Sequence, residues 1–289
     1  MVTLEGLIEL ALAEDLSFGD MTTDILLAPS VLEGPAQGNR QAQLEGTGVI
    51  ASQQPGVLSG LTVAQAVFKR VDSSLAVELL QADGDCVGKG EPLMRVFGPM
   101  ASILKAERVA LNFLGHLSGV ATLTYQYMAT ISQTKAKLTH TRKTLPGLRR
   151  LESQAVVHGG GVPHRYSLSH AVMVKDNHIA AVGSITEAVA RLKARLGHTT
   201  KIEVECDTLA QVEEAVRAGV DIVLLDNMTP DQLRTAVKAV HGRAITEASG
   251  GVTLNTVLPI AQSGVDYIST SEITLSAPAF DVNLTLESA

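Results

Sequence analysis

Apolar residues recur at helical spacing in Leu4, Leu7, Ile8, Ala11 and Leu12, which predicts a short amphipathic helix over 4–15, ended by the turn Ser17-Phe18-Gly19-Asp20. From Gln41 to about Phe97 short β-type runs replace that period. Strands are predicted over 42–51, 75–80 and 93–96, with one helix over 63–71 and a turn-rich connection over 83–92. Such a mixture predicts an α+β layer rather than a catalytic core. A long helix follows over 101–132, where Leu104, Val109, Leu111, Leu114, Leu117, Val120 and Leu123 share the helical period. Gly115 and Gly119 lie inside it, and each either breaks the helix or permits close packing.

Beyond it, short apolar strands alternate with helices. The strands are predicted over 137–141, 171–175, 202–206, 222–226, 244–248 and 267–270, and the helices over 147–157, 185–196, 209–218, 230–240 and 254–263. A repeat of roughly 22 residues in the later part implies parallel strands joined by crossover helices. A barrel and a doubly wound sheet both satisfy this pattern.

Charge sharpens the picture. The formal net charge is -7, yet the stretch from His140 to Ile179 holds five of the eight histidines and six Lys or Arg against two acidic residues. Local positive charge on an acidic protein fits an anionic small ligand, whereas nucleic acid would call for a broad basic surface. A solvated charged face explains it less well, because the cations sit beside Gly159-Gly160-Gly161 and the apolar run Ala171 to Val174. No apolar run approaches the roughly 18 residues that a membrane span needs. No leader pattern opens the chain, so a cytoplasmic protein is expected. Cys86 and Cys206 fit no metal spacing and are expected to be free thiols. Nucleotide-binding and hydrolase fingerprints are absent.

In an α/β barrel the reactive side chains come from the carboxyl ends of the strands. That rule selects Arg142 and Lys143, then Lys175 with Asp176 and Asn177, then Glu205, Asp226 with Asn227, Ser249-Gly250-Gly251, and Ser271. Cations end the first two strands, acids the next two, and small residues the last two. Arg142 can grip a carboxylate in bidentate fashion while Lys143 acts as a point charge. Glu205 and Asp226 are oxygen donors suited to Mg2+ held together with substrate phosphates, although a salt bridge to a nearby lysine explains either acid alone. Ser249-Gly250-Gly251 precedes a helix and can receive a phosphate on backbone N–H groups. His178 is expected to orient a neighbour rather than to perform acid/base work.

These residues resemble a known family. Thr141-Arg142-Lys143-Thr144-Leu145-Pro146-Gly147-Leu148-Arg149, His164-Arg165 after the triple glycine, Lys175-Asp176-Asn177-His178, Glu203-Val204-Glu205, Leu225-Asp226-Asn227 and Glu247-Ala248-Ser249-Gly250-Gly251 are similar to the quinolinate phosphoribosyltransferases, also called carboxylating nicotinate-nucleotide pyrophosphorylases. The likeness extends to Glu14-Asp15, Glu107-Arg108 and Ser276-Ala277-Pro278 and covers almost the whole chain.

The resemblance implies an α/β protein. An N-terminal α/β sandwich (1–111) is joined by the C-terminal tail (277–289), and 112–276 form an open, roughly six-stranded parallel α/β barrel. It implies phosphoribosyl transfer from phosphoribosyl pyrophosphate to quinolinate with Mg2+, loss of CO2, and a homodimer with shared sites. Arg142, His164, Arg165 and Lys175 would clamp the two carboxylates, with Arg108 supplied by the neighbouring subunit. Lys143, Glu205 and Asp226 would serve the sugar phosphate and its metal, and Ser249, Gly250 and Ser271 the 5-phosphate. The sequence departs from the family pattern at Pro163, Ser167, His170, Ser271 and Leu275. Two other readings stand beside this one: a paralogue acting on another aromatic acid, linked to molybdate utilisation, and a non-catalytic sensor of an acidic metabolite.

Overall fold

The structure, a computed structural model, describes residues 3–27 and 44–288, so the first two positions of the strand expected over 42–51 lie outside the described residues. The chain divides into two compact units, one formed by residues up to Thr122 together with those from Pro278 onward, the other by Leu123–Ala277. The boundary falls inside a continuous helix, after Thr122 rather than after the expected residue 111.

The first unit contains α1 (Leu4–Leu16), α2 (Met21–Leu26), β1 (Glu45–Ser52), β2 (Gly56–Val57), α3 (Leu61–Val71), β3 (Ala76–Leu79), β4 (Cys86–Val87), β5 (Pro92–Pro99) and the first part of α4 (Met100–Thr130). The second carries β6 (Lys137–His140), α5 (Arg149–His158), β7 (Val172–Val174), α6 (Asp176–Val182), α7 (Ile185–Lys193), β8 (Ile202–Cys206), α8 (Leu209–Ala218), β9 (Ile222–Asp226), α9 (Pro230–Val240), β10 (Ile245–Ser249), α10 (Val257–Ala261), β11 (Tyr267–Thr270) and α11 (Glu272–Leu275). A last strand, β12 (Val282–Ser288), returns to the first unit.

In the first unit a four-stranded sheet runs β12-β1-β5-β3, with every neighbouring pair antiparallel. Alternate positions of β1 point inward, including the fully buried Ile50, and pack with Phe68 of α3, Met94 of β5, and Ile103 and Leu114 of α4. The tail closes the sheet edge along β1, from Gly46 opposite Ser288 to Ser52 opposite Val282. Gly115 and Gly119 do not break α4. A Cβ on Gly115 would lie 2.9 Å from the Phe280 carbonyl oxygen, and one on Gly119 would overlap that of Pro278. Their bareness lets the returning tail lie against the helix, where Gly115 O accepts from Phe280 N–H at 2.9 Å.

In the second unit six strands, all parallel to their neighbours, run in the order β6-β11-β10-β9-β8-β7. The first strand lies beside the last and the remainder follow in sequence, which is a barrel winding opened between β6 and β7; a doubly wound sheet would reverse direction at its middle. Helices α8 and α9 begin and end where the sequence says they should. Thr208 with Gln211 and Thr229 with Gln232 form capping boxes, Pro230 opens α9, and Gly219 terminates α8 in the left-handed conformation.

Three helices of the second unit differ from expectation, and one of them, α7, ends at Lys193 rather than at 196. Gly147 has φ +85 and turns the chain, so α5 starts at Arg149 rather than at 147. The Thr256 hydroxyl accepts from Thr253 N–H at 2.8 Å in a tight turn, and α10 is correspondingly shorter than 254–263. The short α2 and α6 were not anticipated.

Candidate active site

The strand-end rule gathers the expected side chains in one place. At the carboxyl ends of the barrel strands a cavity of about 420 Å³ is lined by Arg142, Lys143, His164, Arg165, Lys175, Glu205, Asp226 and Ser249. A second hollow of about 430 Å³ shares Lys143, Asp226 and Ser249 and adds Gly250, Gly251 and Ser271. Arg108 is elsewhere: it is an exposed residue of α4 in the first unit and does not line either hollow. A larger hollow of about 630 Å³ in the first unit is lined by Glu9, Arg70 and Lys105. Its charges are already matched in the ion pairs Arg70–Glu9 and Lys105–Asp24. Charge, not size, selects the barrel cavity.

Each cation there is held differently. Arg165 is buried, with Nη1 donating to Ala171 O at 3.0 Å. Lys175 forms an ion pair with Glu205, and its backbone N–H donates to His178 Nδ1 at 2.9 Å, so His178 orients the start of α6 as its position suggested. His164 Nδ1 accepts from Arg165 N–H at 2.7 Å, and Nε2 faces Glu247 Oε1 at 3.2 Å. In the second hollow Gly250 has φ +90, and a Cβ there would overlap the Asn227 side chain. Both facts require glycine. Ser271, at φ -89, lies in ordinary right-handed space and carries its side chain without strain. Glu272, which also lines this hollow, accepts from the buried Tyr127 hydroxyl.

Two acids at the cavity floor, Glu247 lining it and Glu203 beside it, carry no role in the sequence pattern. Glu203 and Glu247 are 4% and 5% exposed, and each sits two residues before a predicted site residue, Glu205 and Ser249, on the same strand face. A carboxylate inside an otherwise apolar strand was the available signal. Burial, reinforced by Glu247, pushes the Glu203 carboxyl up to about 7, against the pull of His164, Arg165 and Lys175. Burial opposes charging His164, but the hydrogen bond and charge of Glu247 outweigh it and raise its pKa. Donor atoms of His164, Glu203 and Glu247 lie within 4.8 Å of one another. That spacing can admit a metal ion, yet Arg165 and Lys175 already supply countercharge to Glu203.

Glu203 makes stability depend on pH. Its folded pKa is raised, so between about 4.5 and about 7 the folded state keeps a proton that the unfolded chain releases; stability therefore falls as pH rises through that window. Glu203→Gln should raise the melting temperature relative to wild type by a few kelvin at pH 8 and by much less at pH 5. An equal offset at both pH values, read by calorimetry, would refute the assignment.

The sequence matches the family "Quinolinate phosphoribosyl transferase, N-terminal domain" over residues 20–118 and the corresponding C-terminal domain over 120–285. The chain belongs to the quinolinate phosphoribosyltransferase family. A probable carboxylating nicotinate-nucleotide pyrophosphorylase of Bacillus subtilis is 37% identical, with 94% of this chain and 89% of the relative covered. One from Synechocystis is 40% identical over the same shares. Among solved structures, the nicotinate-nucleotide pyrophosphorylase of Ehrlichia chaffeensis superposes with a TM-score of 0.90 at 38% identity, covering 99% of each chain.

Departures from the quinolinate phosphoribosyltransferase pattern are absorbed locally. His170 Nδ1 accepts from Tyr166 N–H at 3.1 Å, and Ser167 Oγ lies 2.9 Å from Ser169 Oγ. Pro163, Ser167 and His170 do not line the cavity, and neither does Leu275 line either hollow. Among the described residues, no helix is long and apolar enough to cross a membrane.

Proposed function

We propose that the protein transfers the phosphoribosyl group of phosphoribosyl pyrophosphate to the ring nitrogen of quinolinate, releasing pyrophosphate and CO2 and giving nicotinate mononucleotide for NAD biosynthesis. The observation that carries this is one cavity with Arg142, Arg165 and Lys175 facing Glu205 and Asp226. Cations just after β6 and β7 and in the loop after α5 suit a dianionic aromatic acid, and the glycine-rich hollow beside them suits a 5-phosphate at Ser249, Gly250 and Ser271.

Transfer here is mainly a matter of positioning and charge. Arg142, Arg165 and Lys175, with His164 beside them, hold the ring so that its nitrogen faces the anomeric carbon, and Lys143, which borders both hollows, bears on the phosphates. Glu205 and Asp226 end neighbouring strands. Asp226 is raised first by burial and then by the charges of Glu205 and Asp207, a crowding of carboxylates that a divalent cation relieves; these two residues would hold Mg2+. When bound, Mg2+ supplies charge stabilisation for the leaving pyrophosphate. Once the ring nitrogen is quaternised, its positive charge stabilises the carbanion left as CO2 departs.

The protein acts as a cytoplasmic homodimer in this reading, with Arg108 reaching the partner's site and no nucleic-acid partner. Support comes from the exposed apolar side chains Phe18, Met21, Ile25 and Leu26 around α2, which a second copy would cover. Mixing Arg108→Ala with Lys143→Ala protein should restore part of the activity, since one site in each mixed dimer is then intact; no recovery after verified subunit exchange would exclude shared sites.

The deciding assay supplies quinolinate, phosphoribosyl pyrophosphate and Mg2+ to purified protein and detects nicotinate mononucleotide. Turnover supports the proposal. Tight quinolinate binding without turnover would mark a sensor, and neither binding nor turnover a paralogue for another aromatic acid.

A further inference from the structure

The two cation-bearing segments of the cavity must be held together against their own charge. Arg142 and Lys143 follow β6, His164 and Arg165 follow α5, and the charge of Arg142 helps to lower the Arg165 pKa, after burial itself. The His164 N–H donates to His140 Nε2 at 3.3 Å, and one side chain from outside both segments bridges them as well. Arg149 donates through Nε to Thr144 Oγ1 at 3.1 Å, through Nη2 to Arg142 O at 3.4 Å, and through Nη1 to Tyr166 O at 3.2 Å. It does not line the cavity.

Helix stability does not explain an arginine there. Arg149 is the first residue of α5, where the helix dipole disfavours a cation and favours an acid. Three acceptors on two segments do explain it, because the planar guanidinium offers a fork of donors that a lysine lacks. Lys143 is fixed separately: the buried Thr274 hydroxyl donates to Lys143 O at 2.8 Å.

We propose that Arg149 is a positioning residue which sets the spacing between Arg142 and the His164–Arg165 segment, and thereby the span of dicarboxylate that the cavity accepts. Thr274 does the equivalent for Lys143 on the phosphate side. This rests on the reading of the cavity as a quinolinate site.

The test is a split in Michaelis constants. Arg149→Ala should raise the KM for quinolinate about tenfold or more, the scale expected when a reacting group is misplaced by a fraction of an ångström, while the KM for phosphoribosyl pyrophosphate changes less than about threefold. Arg149→Lys should not rescue it. Thr274→Val should show the opposite split. Equal changes in both constants, no change, or a fall in melting temperature with kinetics intact would overturn the proposal. Wild-type turnover is the control that separates this from the functional reading. If wild type is inactive, calorimetry with phthalate on wild type and Arg149→Ala still tests the positioning role, and equal affinities would overturn it.

Discussion

Arg142→Ala should leave a folded protein that no longer holds an aromatic dicarboxylate. Arg142 lines the cavity, its Nε is buried without a hydrogen-bond partner among the described residues, and its charge bears on that of Arg165. Two guanidinium groups facing one space repel each other, a repulsion that Glu203 and Glu205 offset for Arg165, and a bound dianion adds attraction to both. Removing Arg142 therefore takes away a charge-assisted contact worth about 3 kcal/mol, or roughly 100-fold in affinity. The folded state loses nothing comparable. Its melting temperature should stay within a few kelvin of wild type or rise, because a like charge beside Arg165 has gone. Titration calorimetry with quinolinate decides the matter, and an affinity within about threefold of wild type would remove Arg142 from the clamp.

Why Arg142 could be singled out from sequence, and Glu203 could not, has a physical basis. Barrel strands and their ends follow from apolar runs punctuated by polar residues, so β8, β9 and β11 begin and end at the expected residues, and the groups following each run define the cavity rim. Helices with local caps, such as α8 and α9, are equally legible, since their start and stop signals lie within a few residues of one another. The floor is different. Glu203 and Glu247 meet His164 across strands distant in sequence, and their altered acidity arises from burial that no local window reveals. Arg149 hid for a related reason: in sequence it is one more cation in a basic motif, and its acceptors, Arg142 O and Tyr166 O, are known only once two loops are in place. Closure of the sheet by β12 likewise needs a pairing between the two ends of the chain, and only the resemblance to a family anticipated it.

Asp226→Asn should abolish most turnover without weakening quinolinate binding. Burial, Glu205 and Asp207 raise the Asp226 carboxyl, while Lys175 and Asn227 pull it down. A folded pKa raised in this way means that stability falls as pH rises through it, so the carboxylate opposes folding once ionised. The asparagine variant should consequently melt at the same temperature as wild type or higher at pH 7, with less difference at pH 4. Catalysis moves the other way, because this crowding of negative charge is what gives the proposed Mg2+ site its affinity. Glu205 is shared with Lys175, so without Asp226 a single, already neutralised carboxylate remains, fewer than the proposed arrangement needs. The expected result is a fall of about 100-fold or more in kcat/KM for phosphoribosyl pyrophosphate and a Mg2+ activation curve shifted to higher concentration. Loss of stability together with activity would make Asp226 a structural residue, and an unchanged Mg2+ requirement at full activity would place the metal elsewhere.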